Sequence, residues 1–275
     1  MKKALLIGAA LSVALSASAF AADLPSRKAA PPAYAPPPPL ATWGGFYVGL
    51  NAGYAFGASN NVLLGPGGNV PAFQALQLTG AVPYNVSVNN DGFIGGGQIG
   101  YNWQYGNIVA GIEADIQGIA GSSGSANTVG AFGPFLFGTQ TNRSLDYLGT
   151  VRGRIGYAIT PTLLLYGTGG LAYGGTNVGF TLAGPAPFNT ASTFSDTRVG
   201  WTAGGGVEWM FIPNWSAKVE YLYYNLGSVA APAAFVTGGG NFASITPQTK
   251  FDGHVVRAGV NYHFNWGSAP TLAKF

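Results

Sequence analysis

The chain of 275 residues contains no cysteine and only two histidines. The first absence leaves no disulfide framework, and the second argues against a structural zinc site. Charge is equally scarce, with Asp, Glu, Lys and Arg making up 8% against about 25% in an ordinary soluble domain. A soluble protein of this size needs more surface charge to stay dispersed. Long apolar runs are missing too. Beyond the N-terminus nothing approaches the roughly 18 to 20 apolar residues of a spanning helix, although hydrophobic residues reach 47%. Such a composition points to strands whose alternate residues face lipid. Those strands must close into a barrel, because backbone polar groups find no partner in hydrocarbon.

What is present at the N-terminus is an export signal. Lys2 and Lys3 precede an apolar run over residues 4–14, and Ala19-Phe20-Ala21 supplies small residues before Ala22. Residues 1–21 therefore read as a secretory signal peptide, with the mature chain expected to begin at Ala22. Two of the positive charges behind the formal net charge of +3 lie in that segment. The sequence pI of about 9.0 is thus no argument for nucleic acid as a partner. Residues 22–43, with Pro31, Pro32 and a proline run at 36–39, read as an extended periplasmic linker without strand pairing. The barrel is expected over residues 44–266 and a C-terminal tail over 267–275.

Period-2 alternation occurs eight times after Gly44. In the first strand Phe46, Val48, Leu50 and Tyr54 share one face and Tyr47, Asn51 and Gly53 the other. The third sets Ile108, Ile112 and Ile116 against Glu113, Asp115 and Gln117; the fourth sets Leu145, Tyr147, Val151, Ile155 and Tyr157 against Asp146, Thr150, Arg152 and Arg154. One face is apolar and the other polar or glycine, the pattern of a membrane barrel with its apolar side outward. Connections alternate as well. Tight turns are expected at Tyr105-Gly106, Thr160-Pro161 and Pro213-Asn214, and long loops over residues 58–92, 121–143, 181–197 and 229–252. The fold class is all-β: an eight-stranded antiparallel transmembrane β-barrel with short periplasmic turns and long extracellular loops.

Five of the six tryptophans, Trp43, Trp103, Trp209, Trp215 and Trp266, fall at the short-turn ends, as an inner aromatic girdle requires. Eight charged residues point inward: Glu113, Asp115, Arg152, Arg154, Glu208, Lys218, Glu220 and Arg257. Their equal numbers of each sign suit a mutually paired network filling the lumen; a pore would use the same residues as a selectivity constriction. Catalysis has little behind it. His263 lies inward near Ser216 and Glu208, and His254 lies near the outer rim beside Asp252, but neither has a motif around it. No metal or cofactor is expected.

Several segments look familiar. Leu148-Gly149-Thr150-Val151-Arg152-Gly153-Arg154-Ile155-Gly156-Tyr157, Gly200-Trp201-Thr202-Ala203-Gly204-Gly205-Gly206-Val207-Glu208-Trp209, Lys218-Val219-Glu220-Tyr221-Leu222-Tyr223-Tyr224 and Arg257-Ala258-Gly259-Val260-Asn261-Tyr262-His263-Phe264 resemble the porin-family outer-membrane β-barrel proteins. That family includes major surface antigens related to the opacity proteins, with an OmpA-like architecture. The resemblance implies a bacterial outer-membrane location and an assembly signal at Gly259, Tyr262 and Phe264, read by the barrel-assembly machinery; Phe264 is favoured over Phe275 as its terminal aromatic. It also implies outer-membrane lipids and lipopolysaccharide as surroundings, with a host or small-molecule ligand at the loops. The expected role is non-enzymatic: envelope integrity and surface interaction. The alternative is a narrow porin or a ligand-uptake protein, with hemin a candidate through His254.

Overall fold

The computed structural model describes residues 42–68, 70–185, 188–231, 233–236 and 242–264. The expected signal peptide, the linker up to residue 41, Trp266 and the tail with Phe275 lie outside the described residues. In chain order the elements are β1 (Gly45–Gly57), β2 (Asn61–Gly68), α1 (Val70–Leu78), β3 (Asn85–Ser87), β4 (Gly92–Tyr105), β5 (Ile108–Ala120), β6 (Gly124–Phe132), β7 (Phe135–Thr160), β8 (Leu163–Ala183), β9 (Thr190–Ile212), β10 (Trp215–Ala230), β11 (Ala233–Val236) and β12 (Phe242–Phe264).

Eight of these strands close into a ring in the order β1-β4-β5-β7-β8-β9-β10-β12, with β12 returning to β1 antiparallel. The alternation explains why. Leu50, Ile112, Ile155, Leu171 and Val219 are more than half exposed on the outer wall, while Asn51, Glu113, Arg154 and Lys218 are buried inside. An antiparallel ring leaves no open edge, so every wall residue can place its backbone in a ladder. Short turns join β4 to β5, β7 to β8 and β9 to β10. The last turns on Asn214, whose φ of 69° is one asparagine tolerates. Its carbonyl accepts from the His263 amide at 2.7 Å, which ties the turn to the end of β12.

The closure seam between β1 and β12 pairs bulk with its absence. Gly49 faces Asn261 and Gly53 faces Arg257. A Cβ on Gly49 would lie 2.1 Å from Asn261 Oδ1, and one on Gly53 would lie 2.7 Å from the Arg257 Cβ. Only glycine lets those two inward side chains cross the lumen at these positions.

The long connections are not irregular loops. Strands β7, β8, β9 and β12 run for 26, 21, 23 and 23 residues, roughly twice the 9 to 11 a tilted strand needs to span a bilayer. The expected loop at 121–143 is mostly the β6–β7 hairpin, and that at 181–197 is mostly the upper halves of β8 and β9. The loop at 58–92 holds β2, β3 and α1. One strand face also differs from expectation. A register shift between Leu145 and Tyr147 acts as a bulge, so Leu145 turns inward and is buried while Asp146 turns outward and is exposed.

Above the ring, the added elements build a water-excluding cap. Phe73 and Leu76 of α1 pack with Val62, Phe137, Phe180 and Ile245, all buried. Gln77 fixes the helix by donating from Nε2 to the Leu64 carbonyl at 2.8 Å. Phe73→Ala should cost about 3 to 5 kcal/mol within this cap, as large aromatic truncations do, loosening only the upper extensions of β7, β8 and β12 that it packs against. Limited proteolysis should then cleave within residues 61–88 at protease levels that spare the wild type. Heat resistance of the ring on gels should stay unchanged.

Candidate functional site

The interior is stratified from one end to the other. At the short-turn end Trp43, Val109, Ala158, Leu164, Tyr166 and Met210 form an apolar floor. Trp43 was expected in the lipid-facing girdle; the structure corrects this. Its side chain is fully buried, meets the His263 ring edge-on at 5.8 Å, and its backbone amide donates to Gln104 Oε1 at 2.7 Å. The cause lies in the backbone: Gly45 has φ 120°, a value open to glycine, and the residues before it are not paired as a strand. Trp103, Trp209 and Trp215 stand on the outer wall, 43%, 54% and 41% exposed.

Above the floor, all eight inward charges meet in one network, each at most 4% exposed. The register brings them together: Glu113 pairs with Arg152, Lys218 with Glu208 and Glu220 with Arg257 across neighbouring strands. Arg152 is the hub. Its guanidinium contacts Glu113, Asp115 at 2.9 Å and Glu220 at 3.0 Å. Arg154 reaches Glu208 at 2.6 Å, Lys218 reaches Glu113 at 2.9 Å, and Arg257 reaches Asp115 at 3.0 Å and Glu220 at 2.5 Å. Two tyrosines complete the set. Tyr47 donates to Glu113 Oε2 at 2.7 Å and Tyr166 to Glu220 Oε1 at 3.1 Å, while Arg154 lies over the Tyr166 ring at 4.2 Å. Four acids and four bases cancel, which is what makes their burial tolerable.

A third layer closes the lumen above the charges. Leu145, Leu148, Leu222, Leu226, Phe251 and Val255 are buried there together. Higher still, Arg143, in a segment expected to be loop, crosses the interior. Its Nη2 donates to the Lys250 carbonyl and its guanidinium lies 4.5 Å over the Phe251 ring. On the rim Asp252 accepts from Tyr223 at 3.0 Å and pairs with Lys250 at 3.1 Å. Burial pushes this carboxyl up, but hydrogen bonds from Ser59, Lys250 and Tyr223 outweigh it and hold the group below the usual carboxylate range.

Ser216, His263 and Glu208 do meet. Ser216 Oγ lies 2.6 Å from Glu208 Oε1 and 2.9 Å from His263 Nε2. The order is not that of a nucleophile triad, because the glutamate and the serine share the same imidazole nitrogen. Ser216 and His263 are also at most 1% exposed. His254 lies on the outer wall within an aromatic belt, where Tyr221 Oη is 2.6 Å from its Nδ1 and Phe56 stacks at 5.6 Å. Among the described residues no group of three or more His, Cys, Asp or Glu could hold a metal. Gly259, Tyr262 and Phe264 lie on the ring-closing part of β12, with Phe264 opposite Phe46.

The chain matches the family model described as the outer membrane protein beta-barrel domain over residues 7–264. It is 36% identical over 261 residues to the 31 kDa outer-membrane immunogenic protein of Brucella melitensis, covering 93% of this chain and 98% of that one. To the 25 kDa outer-membrane immunogenic protein of Brucella abortus it is 28% identical over 262 residues, covering 95% and 98%. Among solved structures it is similar to the outer membrane protein OprG of Pseudomonas aeruginosa, with 9% identity and a TM-score of 0.43, covering 80% of this chain and 97% of that one.

Proposed function

This chain belongs to the outer membrane protein β-barrel domain family and resides in the bacterial outer membrane, and from that premise we propose that it serves the envelope as a closed, non-enzymatic barrel carrying a folded surface domain. One observation carries the reading: the lumen is filled in three successive layers, apolar, ionic and apolar. An eight-stranded ring has an interior just wide enough for side chains, and here they occupy it. The short turns then face the periplasm and the long strands, with α1, stand outside. The expected export signal, removed before Ala22, fits that orientation. The outer membrane's lipids and the barrel-assembly machinery are its partners, the latter reading β12.

Cells lacking the protein should become more sensitive to detergents and to large apolar antibiotics, and plasmid-borne wild type should restore resistance. Slower uptake of a small solute with an intact permeability barrier would instead favour a transport role.

A further inference from the structure

Above the bilayer the sheet β6–β7–β8–β9 continues outward, and its outer face changes chemistry abruptly. Lower on the same strands and the same face, Val151, Leu171 and Val199 are 52%, 59% and 66% exposed, as lipid contact requires. Tyr147 and Tyr173 mark the boundary, their rings 6.5 Å apart. Beyond them the face turns to hydroxyls and carboxamides. Ser125, Asn142, Gly179 and Thr193 form one cross-strand row. Ser144, Asn177 and Ser195 form the row beneath it.

These rows enclose a shallow hollow in which Gly179, lacking a side chain, lies between Asn142 and Thr193. The lower row is pre-organised. Asp146, turned outward by the bulge, accepts from Ser144 Oγ at 3.0 Å and from Asn177 Nδ2 at 2.7 Å. Tyr147 Oη and Thr197 Oγ1 are 3.0 Å apart at its lower edge. Ser125, Asn142 and Thr193 make no side-chain hydrogen bond among the described residues, so their donors and acceptors are free.

We propose that this hollow is a carbohydrate-binding site for the neutral sugars of the glycolipid standing beside the barrel in the outer leaflet. It rests on the reading that the long-strand end faces outside. The ligand class follows from the donor set. Hydroxyls and carboxamides both donate and accept, as sugar hydroxyls do, and an aromatic edge beneath offers a ring face. A phosphate would call for cations, yet Arg143, beside Asn142 in sequence, sends its guanidinium inward to the Ser59 and Lys250 carbonyls. The source follows from direction. The hollow continues the lipid-facing wall, so it opens sideways onto whatever stands above the acyl chains that touch Val151 and Leu171.

The test uses the full chain in lipid nanodiscs and, as probe, dephosphorylated oligosaccharide cleaved from the bacterium's own lipopolysaccharide. Calorimetric titration should give saturable binding that is insensitive to salt. Asn142→Ala combined with Thr193→Val should weaken it roughly tenfold to thirtyfold, the loss of two hydrogen-bonding side chains, while gel heat resistance stays at the wild-type value. No binding by the wild type, or equal binding by the variant, overturns the site. Binding that needs the phosphates and falls steeply with salt overturns the neutral-sugar assignment, and capture of soluble host-type glycans alone overturns the source. Failure of the orientation reading would show separately: an epitope tag inserted at Gly133, in the β6–β7 turn, would then be labelled only after cell lysis and not on intact cells.

Discussion

Arg152→Ala should collapse the heat resistance of the folded barrel. The guanidinium touches three carboxylates, those of Glu113, Asp115 and Glu220, with side-chain exposures of 2%, 0% and 1%. Truncation removes the positive charge and leaves the acids buried with only Lys218, Arg154 and Arg257 to compensate. Breaking one partner of a buried pair typically costs about 3 to 5 kcal/mol; a hub of three contacts should fall at the upper end. Asn127→Ala, on the exposed face of the β6 hairpin, should cost under about 0.5 kcal/mol. Unheated gel mobility measured against temperature reads both. Equal midpoints for the two variants would mean that the ionic layer contributes nothing to holding the ring. Replacing Arg152 by Met together with Asp115 by Asn should recover much of the loss, since one charge of each sign is then removed while Glu113 keeps Lys218 and Glu220 keeps Arg257.

Purified wild-type protein in planar bilayers should give no single-channel steps. Three independent seals stand in series: the floor around Trp43, the ionic layer, and the apolar layer around Leu222 and Phe251. Water must pass all three, so opening one changes little. Trp43→Ala should therefore stay silent too, although it empties the largest side chain of the floor. Stable steps from the wild type, with selectivity altered by Arg154→Ala, would identify a porin and end the closed-barrel account.

How far the sequence could be read follows the membrane. Around the ionic layer the wall follows one rule, apolar outward and polar or glycine inward, so the faces of β1, β5, β10 and β12 and all eight inward charges are legible from alternation. Above the bilayer that rule lapses. The outer face of β7 meets water and carries Gln140, Asn142 and Ser144, while its inner face carries Thr139, Thr141 and Arg143. Polar residues then stand on both sides and the period disappears, though the backbone pairing continues. Arg143 is masked for that reason: a charge in an expected loop reads as solvated. Leu145 and Asp146 failed at a bulge, where one added residue inverts the alternation without any change in composition. Trp43 failed because it precedes the first strand and so had no facing partner to assign it a side.

The seam between β1 and β12 has a meaning for how such a ring finds its end. A register slip must move by two residues to keep the same faces inward. Sliding β1 by two in one direction would set Asn51 against Arg257 and Tyr47 against Asn261, while Gly49 met Gly259 and left a void. Bulk would collide with bulk at two levels and be missing at a third, so the wrong closure is penalised at several points at once. The last strand to form can thus be checked against the first by size alone. Glycines at positions 49 and 53 write the closing register in side-chain size, apart from the charges that fill the lumen.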